Sequence, residues 1–156
     1  MFLNGFQMHN MRFTIIFLSM FLIFNSIAFA QNSSPVGLWK TLDDKTGKPR
    51  SLIRISEVNG EYSAVIEKGL LETDTGESVC VKCTDERKGQ RLIGMTIVKG
   101  IKKKGDNYEG GEILDPENGK TYRCKLKLNE TGNQLEVRGF IGLSLFGRSQ
   151  IWMREE

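Results

Sequence analysis

The chain has 156 residues, with 22 Lys and Arg against 19 Asp and Glu, a net charge of +3, three cysteines and one histidine. So small a charge excess gives no footing for a nucleic-acid partner, and the length beyond a leader suits one domain with its own core. The sole histidine, His9, falls in or before that leader, so the folded part has no imidazole for a nucleophilic pair or a zinc site, which excludes most familiar hydrolase chemistry.

Taken in chain order, the first element is the leader. Arg12 precedes an almost wholly apolar run over 13–24, Asn25 and Ser26 relax it, and Ala28-Phe29-Ala30 supplies small residues around a cleavage site. That order of charge, apolar run and small residues is a secretory signal. Residues 1–30 are therefore expected to be a signal peptide with an upstream extension over 1–10, Met11 or Met8 being the true start. Cleavage after Ala30 leaves 31–156 as a single β-barrel domain, exported to the periplasm or secreted. The run is shorter than the roughly 18–20 residues of a spanning helix, and no second run follows, so no stable membrane anchor is expected.

The mature part reads as short strands between turns. The first covers 37–42 and ends in the polar turn 43–49. The second, 51–58, is rich in β-branched residues and meets Asn59-Gly60, whose tolerance of positive φ suits a type I′ hairpin turn. The third, 61–68, sets Tyr62, Ala64 and Ile66 on one face. Residues 69–91 are the one long connection, with a short helical turn placed at 85–89. The fourth strand is placed at 93–102 and the fifth at 108–114, closed by Asp115-Pro116-Glu117-Asn118-Gly119. The sixth, 121–128, has the cleanest period of two: Tyr122, Cys124, Leu126 and Leu128 face one way, and Arg123, Lys125 and Lys127 the other. The seventh and eighth are placed at 134–141 and 148–154. The expected fold is all-β: about eight antiparallel strands in sequential hairpins, curling into an up-and-down barrel, with a two-sheet sandwich as the alternative because periodicity cannot count sheets. Such a barrel is filled by side chains or holds one small ligand.

Several motifs have two readings. Cys80 and Cys83, in a C-x-x-C, are expected to form a local disulfide stapling the loop; a redox pair, a metal site or pairing with Cys124 compete less well. Cys124, on an apolar face, reads as a buried thiol. The acidic turn 115–119 lacks the spacing of a calcium loop and reads as a turn, as does 43–49. No metal and no cofactor are expected. Lys102-Lys103-Lys104 reads as a solvated hairpin end. The alternation points Arg138 to solvent, with Gln134, Glu136 and Phe140, opposite Leu135, Val137 and Ile141; in the reverse register its fork of donors could anchor a carboxylate or phosphate. The apolar stretch 140–146 falls where a loop belongs, and reads as a lid, a ligand portal or a contact patch.

Two resemblances follow from the placed strands. Gly37-Leu38-Trp39 opening the first strand and Trp152-Met153-Arg154 closing the last resemble the calycin barrels, which include the lipocalins. There a Gly-x-Trp plugs one barrel end and an arginine packs across the indole, implying barrel-end packing of Gly37, Trp39 and Arg154. Nearly the whole mature chain resembles the bacterial family known as domain of unknown function 2147, through 35–41, Cys80-Val81-Lys82-Cys83, 93–102, 113–126, 135–142 and 147–154. That resemblance implies a small exported lipocalin-like barrel with suspected apolar-ligand binding and no assigned reaction. The expected protein is thus a non-enzymatic binding module for a small, mostly apolar molecule, with candidate ligand contacts at Trp39, Tyr122, Arg138, Leu143, Phe146 and Trp152. The alternative is a ligand-free structural or interaction protein of the cell envelope with a filled barrel.

Overall fold

Strands with one apolar face, joined by tight turns, bury that face and satisfy every edge only by wrapping into a closed sheet. The computed structural model, which describes residues 34–155, shows that outcome. Eight strands run in chain order: β1 (Gly37–Leu42), β2 (Pro49–Val58), β3 (Glu61–Gly69), β4 (Thr96–Lys104), β5 (Asn107–Asp115), β6 (Lys120–Leu128), β7 (Gln134–Phe140) and β8 (Gly147–Glu155). Each pairs antiparallel with the next, and β8 returns to β1 through Leu38↔Glu155, Trp39↔Arg154 and Lys40↔Met153, closing the barrel. The signal-peptide reading of 1–30 lies outside the described residues.

The hairpin signal at Asn59-Gly60 is realised with φ of 53° and 79°, the left-handed pair a type I′ turn needs. Inward residues alternate as the pattern requires: Tyr62, Ala64 and Ile66 on β3, Cys124 and Leu126 on β6, Leu135 and Val137 on β7 are all buried. The alternation breaks where β4 slips its register against β3 and β5 slips its register against β6. Gly100 takes φ 73°, Val98 and Ile101 both point inward, and a Cβ on Gly111 would sit 2.2 Å from the Lys99 carbonyl oxygen. Only glycine lets the two backbones approach so closely while the sheet bends.

Two expected elements are corrected. The fourth strand begins at Thr96, not Ile93, because Gly94 adopts φ 87° and Met95 N closes a turn onto the Leu92 carbonyl. Residues 85–89 form no helix: Lys88 N bonds Asp85 O and Gln90 N bonds Arg87 O, a pair of tight turns that Gly89 at φ 75° ends.

One end of the barrel is sealed. Trp39 is fully buried, its Nε1 donating to the Pro35 carbonyl at 2.7 Å. The Arg154 guanidinium lies 4.3 Å from the centre of that ring. It also donates to three carbonyls, those of Gly132 at 2.6 Å, Val36 at 2.9 Å and Ser34 at 2.7 Å. One side chain thus ties the segment before β1 to the β6–β7 turn. Burial lowers the Arg154 pKa, yet it stays charged at any pH of interest. Gly37 makes room for this: at φ 139°, a Cβ there would lie 2.7 Å from the Arg154 Nη1. Tyr62 on β3 and Tyr108 on β5 pack edge to face, with ring centroids 5.0 Å apart.

Candidate ligand-binding site

Because the strands alternate in direction, the turns after β1, β3, β5 and β7 gather at the end opposite Arg154. There the interior is not filled. A cavity of about 780 Å³ lies between the apolar strand faces and these four connections. Its wall takes Ile53 from β2, Ile66 from β3, Ile97 from β4, Ile113 and Leu114 from β5, Tyr122 from β6, Val137 from β7 and Trp152 from β8. A volume of this size suits one small molecule, and aliphatic walls reward the transfer of apolar surface out of water. Gly139 on β7 keeps the wall thin: a Cβ there would only touch Ile113 and Tyr122, at 3.5 and 3.6 Å.

Polar groups are few inside and many at the rim. Thr41 and Ser51 face each other across β1 and β2 with their hydroxyls 2.8 Å apart, and both line the cavity. At the mouth, Arg50 donates to Glu117 at 2.8 Å and approaches Asp43 at 3.9 Å, linking β2 to the β5–β6 turn on the far side. Asp44 accepts from Gln150 at 3.0 Å and pairs with Arg148, holding the β1–β2 turn to β8. Asn118 donates to the Tyr122 hydroxyl at 3.0 Å, so the one phenol of the wall has its polar end in the rim. Hydrogen bonds from Thr46 hold the Asp43 carboxyl below its usual range, so it stays ionised at neutral pH.

The long β3–β4 connection lies against this mouth, and the Cys80–Cys83 disulfide, whose residues are both buried, staples it locally. Cys80 N and O pair with Gln90 O and Gly89 N, closing the loop on itself. Its tip meets the β5–β6 turn, where a Cβ on Gly119 would fall 1.8 Å from the Lys82 carbonyl oxygen. Arg87, nearly buried, pairs with Asp85 and donates to Thr121 at 2.9 Å. The hydrogen bonds from the Arg87 side chain and backbone lower the Asp85 pKa to about 2. The remaining cysteine, Cys124, is buried and unbonded to another sulfur, and burial pushes its thiol up to about 12. Among the described residues no group of three His, Cys, Asp or Glu side chains is placed to hold a metal.

The structure brings three of the candidate contact residues to the cavity: Tyr122, Phe146 and Trp152. Trp152 is buried, with its Nε1 donating to Gln150 Oε1 at 3.3 Å, whereas Phe146 stands at the mouth 70% exposed. The other three stand outside it. Trp39 is in the sealed end. Leu143 projects outward, 70% exposed. Arg138 follows its alternation to the outer face and spends its donors on the β7–β8 connection, reaching the carbonyls of Ser144 and Leu145 and the Ser149 hydroxyl. Ile141, expected on the inner face, lies beyond β7 and is 68% exposed at the rim. Phe140 keeps the outer face its alternation gives it but is buried there under Arg123, whose guanidinium carbon is 5.5 Å from its ring centre. The Arg50–Glu117 link joins positions distant in the chain, which only the closed barrel brings together. The Thr41–Ser51 pair spans just the β1–β2 hairpin, where the register shift beside Thr41 hides the pairing from the sequence.

The sequence profile of a family described as an uncharacterized protein conserved in bacteria (DUF2147) matches residues 37–154. The chain belongs to this family. The matched span of the DUF2147 chain begins at Gly37 and ends at Arg154, the two residues packed against each other at the sealed end. No curated protein matches it. Among solved structures it is similar to HP1028 from the human pathogen Helicobacter pylori, which is described as belonging to the lipocalin family. The two superpose with a TM-score of 0.67 at 20% identity, over 79% of this chain and 84% of that one. The likeness shows the fold, a lipocalin-like closed barrel.

Proposed function

We propose that this protein is an exported, non-enzymatic binder that holds one small, mostly apolar molecule inside the barrel. The observation that carries the reading is the cavity of about 780 Å³, apolar along its strand walls and open at the end opposite Trp39. A barrel kept only as a structural element gains stability by filling such a space, since each buried void forfeits packing. The ligand's apolar body would lie along Ile53, Ile113, Val137 and Trp152. A single polar group would face Thr41 and Ser51 or the charged rim. The chemistry of the free thiol fits a passive role: Cys124 is protonated and enclosed. Export rests on the leader pattern alone, and N-terminal sequencing of the secreted product should begin at Gln31.

Native mass spectrometry of protein purified from its own host tests the binding role. The expected result is an added mass in the range of a small lipid or pigment, lost after extraction with organic solvent. A clean unliganded mass, together with no uptake of an environment-sensitive apolar dye, would refute it. Ile113→Trp, which places a bulky ring in the cavity, should reduce dye uptake while thermal unfolding stays cooperative.

A further inference from the structure

The β7–β8 connection is unlike the other three at the mouth. Ile141, Leu143, Leu145 and Phe146 are 68%, 70%, 79% and 70% exposed, a run of apolar side chains in water at a place where turns normally carry polar ones. Its backbone polarity is turned inward. Phe146 N bonds Leu143 O at 3.0 Å, Arg138 draws in the carbonyls of Ser144 and Leu145, and Arg123 donates to that of Gly142 at 3.3 Å. The side chains therefore project while much of the peptide groups' desolvation cost is already met. Beneath the tip, neither Arg123 nor Arg138 is within ion-pair distance of a carboxylate among the described residues; Glu136 reaches Arg138 only through the Ser149 hydroxyl. Two guanidinium groups without a direct carboxylate partner, under an apolar tip, match a layer of phosphate headgroups over hydrocarbon. Ile141 and Phe146 are also part of the cavity lining, so apolar surface is continuous from the tip into the barrel.

We propose that the β7–β8 connection docks the protein on an anionic phospholipid bilayer, apolar tip inserted and Arg123 and Arg138 against the headgroups, so that the ligand passes between lipid and cavity beside Phe146. The passage of ligand rests on the binding role proposed above; the docking does not, and the test keeps the two apart. Purified protein is floated with vesicles of phosphatidylethanolamine and phosphatidylglycerol, and separately with phosphatidylcholine vesicles. Dye uptake is measured in vesicle-free buffer. Wild-type protein should float with the anionic vesicles, less so with the neutral ones, and be released by high salt. Leu143→Ser/Leu145→Ser, at two exposed positions outside the cavity, should lower partitioning by roughly tenfold or more while leaving dye uptake unchanged. Equal flotation of the double variant and the wild type, or no flotation of the wild type, would overturn the proposal. So would a concentration-dependent dimer abolished by the same substitutions, which would give the tip to a second copy of the chain. Flotation without dye uptake would uphold docking and remove the binding role instead.

Discussion

Replacing Arg154 by Met removes the guanidinium that seals the barrel while keeping most of an apolar stem over Trp39. Three hydrogen bonds to the carbonyls of Ser34, Val36 and Gly132 disappear, along with the contact at 4.3 Å to the indole. Each charged bond to a half-buried carbonyl is taken at about 0.5–1 kcal/mol, because water can replace it at the barrel end. The ring contact adds about 0.5–1 kcal/mol. Relief of the buried charge's desolvation offsets part of this. The net expectation is a loss of about 2–3 kcal/mol. With a urea dependence of about 2 kcal/mol per molar, the unfolding midpoint should fall by about 1–1.5 M. Arg154→Lys keeps the charge but not the planar fork, and should recover less than half of the loss. Since the arginine does not titrate, the difference should be the same at pH 6 and pH 9. A midpoint for Arg154→Met within about 0.2 M of the parent would refute the reasoning, as would full recovery with Lys.

Four further outcomes are expected. Gly119→Ala forces a Cβ onto the Lys82 carbonyl at a φ of 73°, and should cost about 2–4 kcal/mol by urea unfolding, or displace the disulfide loop as read by faster proteolysis within 70–90. Glu117→Gln, which weakens the link from Arg50 across the mouth, should speed dissociation of a bound apolar dye in stopped flow several-fold, with little change in stability, as befits an exposed pair. Asp85 has its pKa lowered to about 2 by hydrogen bonds from Arg87, so its contribution is present above the unfolded value near 3.8 and fades as pH falls toward 2. The stability gap between parent and Asp85→Ala should therefore be constant above about pH 5 and narrow steadily below 4, measured by urea midpoints across that range. Cys124, with its thiol pushed up to about 12 and enclosed, should not react with an aromatic disulfide reagent at pH 8 until the protein is unfolded.

The barrel was legible because its signals are local. The alternation over Tyr122, Cys124, Leu126 and Leu128 needs only neighbouring residues to state which side is dry, and Asn59-Gly60 needs only its own dihedrals to turn the chain. The start of β4 misled for the same kind of reason: Ile93 fits a strand pattern, but the φ of Gly94 and the bond from Met95 N to Leu92 O break the extension there. Of the candidate contacts on inward strand positions, Tyr122 and Trp152 reached the cavity, while Trp39, at the other end of the barrel, closed the sealed end instead. Arg138 and Leu143 did not, because an outer-face position and a loop tip are directed by what packs beneath them.

By itself the order of residues determined the class of the chain: sequential hairpins, one apolar face per strand, a Gly-x-Trp at the start and an arginine at the end. Side-chain alternation and turn chemistry act over two to four residues, and so survive without any knowledge of the whole. The tertiary structure alone decided that the interior holds a cavity rather than a filled core. It also decided that Arg50 meets Glu117 across the mouth and that Gly119 lies against the Lys82 carbonyl. Those outcomes depend on the curvature and register of a closed sheet, which bring together groups separated by up to the full circuit of the barrel.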